Sequence, residues 1–311
     1  MNNLKKVGLT ALGTVLVSSV AYAGDLTVTG GMGITFQGED HSAKGNGWTM
    51  GDDLTFTGSA EQDNGWNVSF SSQIDLGVQD DFSLAIDTVD YGTVTFSGHG
   101  KSGPIGGWDD LTPTANEEAW GVGVDGTVDG ATNALSGNDS FHWDYSLATV
   151  DGVALKAAYF PSDAATNIDG SFEYGIQYTG LEGLTVSLGI GENNSAAAGV
   201  DNTVASVQYA VDAFTLGVQA NESDSATAGE DEDFTAWGIS YALSDDLSIS
   251  YNIAEVDYET STQENQEATG ISFSYTAGSL TFSGAYSEVD NVSGSAASDR
   301  SGYELNMTFT F

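Results

Sequence analysis

The sequence predicts an all-β fold, a transmembrane antiparallel β-barrel of about 16 strands. Three observations carry that reading. Apolar and polar residues alternate with a period of two along most of the chain. Tight turns alternate with long acidic connections. After Val20 no apolar run reaches the roughly 18 residues that a spanning helix needs. The 40 Gly and 3 Pro also suit many strands and turns better than long helices.

At the N-terminus, Lys5 and Lys6 precede an apolar stretch from Val7 to Val20, followed by the small-residue triplet Ala21-Tyr22-Ala23. Residues 1–23 therefore read as a Sec-type signal peptide, cleaved before Gly24, and 24–311 as the barrel. An amphipathic N-terminal helix is the rival reading. Strands are expected at 25–37, 49–61, 65–77, 81–88, 91–98, 140–150, 152–160 and 170–180. They continue at 183–192, 202–211, 213–222, 233–243, 246–256, 267–277, 279–288 and 301–311. Asn64-Gly65, Asp151-Gly152, Asp212 and Ser244-Asp245-Asp246 supply tight turns. The connections between them are expected to be long without exception, with both chain ends on the short-turn side.

A secreted sandwich also alternates, but its paired apolar faces would be dominated by Leu, Ile and Val. Here Trp66, Tyr91, Phe141, Trp143, Phe172, Phe214, Trp237, Tyr303 and Phe311 gather near strand ends, as in interfacial girdles. No fixed repeat of solenoid length is present. The last strand places Tyr303, Leu305, Met307, Phe309 and Phe311 on one face, which resembles the C-terminal signal read by outer-membrane assembly machinery.

Composition narrows the function. A formal charge of −39, from 6 Lys+Arg against 45 Asp+Glu, excludes nucleic-acid binding through clustered bases. Absence of Cys excludes disulfides and thiolate metal sites. After signal cleavage the basic residues are Lys44, Lys101, Lys156 and Arg300.

Asp90-Tyr91-Gly92-Thr93-Val94-Thr95-Phe96 resembles the D-[FY]-G-x-[LV]-T-[FL] strand that enters the third loop of porins. With the alternating segments and terminal Phe, the mature chain resembles a Gram-negative general diffusion porin of the alphaproteobacterial type. The resemblance implies an outer-membrane homotrimer of water-filled barrels, with the third loop folded into each lumen. Independently, residues 99–139 form a stretch without a convincing strand, carrying Pro104, Pro113, Trp108 and Trp120, and so read as an ordered functional loop. Thr112-Pro113, or a Thr114/Glu117 capping box, is expected to start a short helix over 115–120.

A barrel of this size leaves an aqueous channel, whose selectivity follows the charges at its narrowest part. The constriction loop supplies Asp109, Asp110, Glu117, Glu118, Asp125 and Asp129, and Lys101 at its start. Lumen parity adds Asp75, Asp87, Asp144, Lys156, Glu173 and Glu304 on the wall, while Lys44 and Arg300 are expected in loops. The outward acids Glu255, Glu267 and Glu288 fall at loop-side strand ends. Many general porins oppose loop acids with wall arginines; this chain lacks the bases to assemble such a cluster. The expectation is a channel for small hydrophilic solutes that prefers cations. The alternative is a substrate-specific channel for cationic or sugar solutes. A phosphate channel would need rings of bases.

The remaining chemistry is sparse. His41 falls in a loop, His99 starts the long loop and His142 is expected at the rim, none with a recognisable nucleophile, so a barrel hydrolase is the weaker class. No cofactor is expected. Glu230-Asp231-Glu232-Asp233 is the densest loop candidate for Ca²⁺, though a charge run is more often a solvated face.

Overall fold

The computed structural model describes residues 26–40, 47–120, 124, 130–132, 135–137, 139–162, 169–194 and 199–311. The expected signal peptide, 1–23, lies outside the described residues. In chain order the strands are β1 (Leu26–Glu39), β2 (Trp48–Glu61), β3 (Asn67–Asp75), β4 (Val78–Asp87), β5 (Thr93–His99), β6 (Lys101–Ser102) and β7 (Ser136–Gly137). Next come β8 (Ser140–Ser146), β9 (Val153–Phe160), β10 (Ser171–Tyr178), β11 (Leu184–Asn193) and β12 (Val200–Val211). The last six are β13 (Phe214–Ser225), β14 (Glu232–Ser244), β15 (Leu247–Tyr258), β16 (Gln266–Ala277), β17 (Leu280–Asp290) and β18 (Arg300–Thr310).

All but β6 and β7 form one closed antiparallel barrel in which each strand pairs with its barrel neighbours in sequence order and β1 closes on β18. The sixteen expected strands are the sixteen observed. Closure is completed at the C-terminus, where Phe311 donates its N–H to the Gly30 carbonyl at 3.0 Å and accepts from the Gly30 N–H at 3.2 Å. No backbone edge is left there, as hydrocarbon requires. Among the described residues the only helical piece is a three-residue 3-10 turn, Val292–Gly294.

One connection departs from the expected alternation. Between β3 and β4 the loop-side link is the two residues Leu76 and Gly77, both with positive φ (47° and 79°). That is the geometry of a tight hairpin, and it makes the barrel wall low at this point. Asp90-Tyr91-Gly92 also proves to be a turn rather than strand: Thr88 donates its N–H to the Gly92 carbonyl at 3.1 Å, and β5 starts only at Thr93. Gly92 (φ 83°) is required because a Cβ there would run into the Asp144 carbonyl. Arg300 opens β18 rather than lying in a loop.

Side chains obey the period of two. On β13, Phe214, Leu216 and Val218 are exposed on the outer face, whereas Gly217, Gln219 and Asn221 are buried toward the lumen. Outward aromatics pair across strands, as in Phe36–Trp48 (4.6 Å) and Phe214–Tyr241 (4.5 Å). Above the apolar band on β11–β17 runs an outward belt of acids at the loop-side ends. Cross-strand partners there are like-charged: Glu192 faces Asp201, which faces Asp224. Glu222 faces Asp233, which faces Asp257. Glu255 faces Glu267, which faces Asp290. Directly opposed like charges destabilise a sheet by roughly 0.2–1 kcal/mol per pair, and salt screens them.

Glu267→Gln, which relieves two of these pairs, is therefore expected to raise the thermal midpoint of the detergent-solubilised barrel at low ionic strength. In high salt the gain should shrink. Thermal unfolding followed by circular dichroism checks this; a lower midpoint for the variant at low salt would contradict it.

Candidate functional site

The stretch from Gly100 to Asp139 leaves the wall at β5 and returns at β8, tied at its neck by the β6–β7 pair. Its first turn is built around Pro104: Gly107 donates its N–H to the Gly103 carbonyl at 2.9 Å, and Trp108 to the Ile105 carbonyl at 3.0 Å. The expected helix over 115–120 does not form. Its backbone donors are satisfied by the barrel instead: Ala115 N–H donates to Ser250 Oγ at 3.0 Å and Asn116 N–H to Ser272 Oγ at 3.1 Å. Thr114 Oγ1 donates to the Glu117 carbonyl at 2.7 Å and accepts from the Asn116 N–H at 3.3 Å, without starting a helix.

The loop is fastened to the inner wall from β9 round to β17. Near its start, Ile105 is fully buried against Trp108 and Val204, and its N–H donates to Glu173 Oε2 at 2.9 Å. Further on, Leu111 N–H donates to Gln219 Oε1 at 2.6 Å, and the Leu111 carbonyl accepts from Gln208. Asn221 Nδ2 donates to the carbonyls of Asp109 (2.9 Å) and Gly130 (2.7 Å), pinning both limbs of the loop at once. Asn252 Nδ2 donates to the Pro113 carbonyl at 3.0 Å. At the far end Trp120 packs edge-on against Phe234, centroids 5.1 Å apart, in an apolar cluster with Ala119, Val256, Val289 and Val292.

Inward glycines make this approach feasible. A Cβ at Gly175 would meet the Trp108 ring, at Gly217 the Pro113 ring, at Gly238 the Pro113 carbonyl and at Gly270 the Ala119 backbone. Gly217 and Gly238 face one another across β13 and β14. These residues, and the clamps Gln208, Gln219, Asn221 and Asn252, were missed by sequence reasoning. Their only signal is Gly, Gln or Asn recurring at inward positions of successive strands.

The expected site residues separate into groups. Asp109 is half-buried and accepts from Thr132 Oγ1 at 2.5 Å, while Asp110 is exposed and Glu117 and Glu118 are half-buried. Asp125 and Asp129, like Lys44 and His41, lie outside the described residues. Glu173 is only 2% exposed, because the loop covers it; Glu304, 8% exposed, accepts from Gln37 and Asn306. Asp87 sits at the short-turn end, accepting from the Val89 N–H at 2.9 Å. Asp75 lies directly across from Asp53 on the lumen face of β2 and β3, away from the loop's seat.

The bases do come together, in a small way. Asp144 lies 3.9 Å from Lys101 Nζ and 3.7 Å from Lys156 Nζ, and Lys156 Nζ also stands 5.5 Å from the Trp108 ring centroid. Arg300 faces inward and lies 3.7 Å from Glu39. His142 is not at the rim: it is buried on the inner face of β8, with Nε2 2.7 Å from Ser140 Oγ. That Ser–His distance suits proton transfer, but Ser140 is only 1% exposed and lies on the same strand, so no substrate carbonyl reaches it. The Ca²⁺ candidate does not converge either, since Glu232 and Asp233 point to opposite faces of β14 and Asp231 caps the Ser225 N–H at 2.8 Å.

Gln219→Ala is expected to orphan the buried Leu111 N–H, at a cost of about 1–3 kcal/mol, and so to speed amide exchange in 104–111 by roughly 5- to 150-fold. Hydrogen–deuterium exchange read by mass spectrometry checks this; unchanged exchange would show that the loop is held by other means.

Comparison with known proteins agrees with this architecture. Residues 8–266 match the model of the Gram-negative porin family. Among proteins of curated function no sequence matches significantly. The anion-selective porin from Comamonas acidovorans superposes with a TM-score of 0.70 at 12% identity, over 92% of this chain and 99% of that one. A triple mutant of the Rhodopseudomonas blastica porin gives 0.63 at 13%, over 92% and 100%. OmpT, an outer-membrane protein of Vibrio cholerae, in its trimer form gives 0.66 at 15%, over 93% and 100%. Sixteen strands closed around a lumen that holds a fastened loop, with a family match across most of the sequence, lead to one conclusion: this chain belongs to the Gram-negative porin family.

Proposed function

We propose that the barrel is a water-filled outer-membrane channel for passive diffusion of small hydrophilic solutes, that it prefers cations, and that it works as a homotrimer. One observation carries the sign of the preference. Each of the three described basic residues, Lys101, Lys156 and Arg300, lies within 4 Å of a carboxylate. On the wall that the described part of the loop leaves uncovered, Asp53 and Asp75 face each other across strands, flanked by Thr55, Ser71 and Gln73. A negative lumen raises the local cation concentration and repels anions.

Diffusion rather than specific transport is supported by the lining. Among the described residues the inward aromatics Phe160 and Phe234 are buried, Tyr258 is half-buried against the cluster that holds Trp120, and Trp108 and Trp120 of the loop are buried, so these rings form no continuous sliding surface for a sugar. The trimer rests on family membership and on the trimer form known for the Vibrio cholerae protein.

Swelling of liposomes containing the purified protein tests the reading. Solutes matched in size are expected to enter in the order cationic, neutral, anionic, with rates linear in concentration. Saturation by one solute would favour a specific channel, and faster anion entry would reject the sign. Light scattering in detergent is expected to give three copies per particle.

A further inference from the structure

At the low point of the wall, two β-bulges lie side by side. On β4 the pairs Ser72–Phe82 and Ile74–Gln79 leave the single residue Gln73 opposite two, Asp80 and Asp81. On β5 the pairs Phe82–His99 and Ser83–Ser97 leave Gly98 as the extra residue. Consecutive residues of a regular strand point to opposite faces, but a bulge bends the strand and re-aims its side chains. As a result both carboxylates reach one imidazole. His99 Nδ1 lies 3.0 Å from Asp81 Oδ1 and 3.3 Å from Asp80 Oδ1. The following residue, Gly100 (φ 82°), closes the pocket: a Cβ there would collide with the Asp81 carboxylate.

We propose that Asp80, Asp81 and His99 form a binding site for a borderline divalent transition-metal ion, with Zn²⁺ as its reference ligand. The donor set is one imidazole nitrogen and two carboxylate oxygens, all mutually within 4.8 Å. Ligands bonded tetrahedrally to one Zn²⁺ at about 2.0–2.2 Å stand about 3.3–3.6 Å apart, so the 3.3 Å N···O separation to Asp80 already matches an edge of the coordination shell and the 3.0 Å one to Asp81 needs to open by only a few tenths of an ångström. The ion takes the place of the proton between Nδ1 and the carboxylates. Each side chain is about half exposed, 44–48%, leaving room for water to fill the remaining positions. The imidazole sets this cluster apart from the acids elsewhere in the chain, which favour Ca²⁺ or Mg²⁺; an N,O set favours Zn²⁺, Ni²⁺ or Cu²⁺. His99 ends β5 where the chain turns into the constriction loop, so a bound ion would tie the root of that loop to β4. The site does not depend on the ion preference proposed above.

Calorimetry on the full-length protein in detergent, titrating Zn²⁺ against a background of millimolar Ca²⁺, tests the proposal. One Zn²⁺ per chain is expected, bound at least about tenfold more weakly by His99→Gln and by Asp81→Asn. A distant acidic control, Asp231→Asn, should bind as the parent does. Electron paramagnetic resonance of the Cu²⁺-loaded parent should show coupling to a single nitrogen, lost in His99→Gln. Zn²⁺ binding that is absent over Ca²⁺, unchanged in His99→Gln, or equally weakened in Asp231→Asn would overturn the proposal.

Discussion

Everything in this molecule follows from the requirement that backbone polar groups crossing hydrocarbon find partners within the protein. Sixteen strands meet it by closing on themselves, and the last bonds are those between Phe311 and Gly30. Once the ring is closed, register leaves each side chain only two choices, lipid or lumen. Leu216 and Val218 face out because Gln219 and Asn221 face in, and those inward amides then hold the loop. The same strand thus pays its debt to the membrane and shapes the channel.

The described residues of the loop between β5 and β8 have little regular structure of their own. They take their shape from the wall, through side-chain amides and hydroxyls that receive their backbone and through glycines that let them come close. At the start of a helix over 115–120 the N–H groups of Ala115 and Asn116 would have no intrahelical partner; Ser250 and Ser272 of the wall accept them, and the segment stays irregular. The described residues of the loop are seated from β9 to β17, and among the described residues the lumen wall of β18 and β1–β4 is the part that the loop leaves uncovered.

This division also explains what could be read in advance. Period-two alternation makes strands legible, and the terminal aromatic face marks where the barrel closes. Parity faces Lys156 and Glu173 inward, but it cannot tell what covers them: Lys156 remains solvent-accessible whereas Glu173 disappears under Ile105. Bulges break parity by one residue without any compositional mark, which hid the meeting of Asp80, Asp81 and His99. The loop's path was illegible because its determinants are spread over strands far away in sequence.

Selectivity is a property of the lining, not of the barrel. A porin from Comamonas acidovorans with the same fold is anion-selective, while the described bases of this chain, Lys101, Lys156 and Arg300, stand against carboxylates. The most direct measurement is the reversal potential of the purified protein in a planar bilayer across a KCl gradient. A potential of the sign set by K⁺ is predicted, growing as salt is lowered and reduced in Asp53→Asn/Asp75→Asn. A potential of the sign set by Cl⁻ would contradict the account.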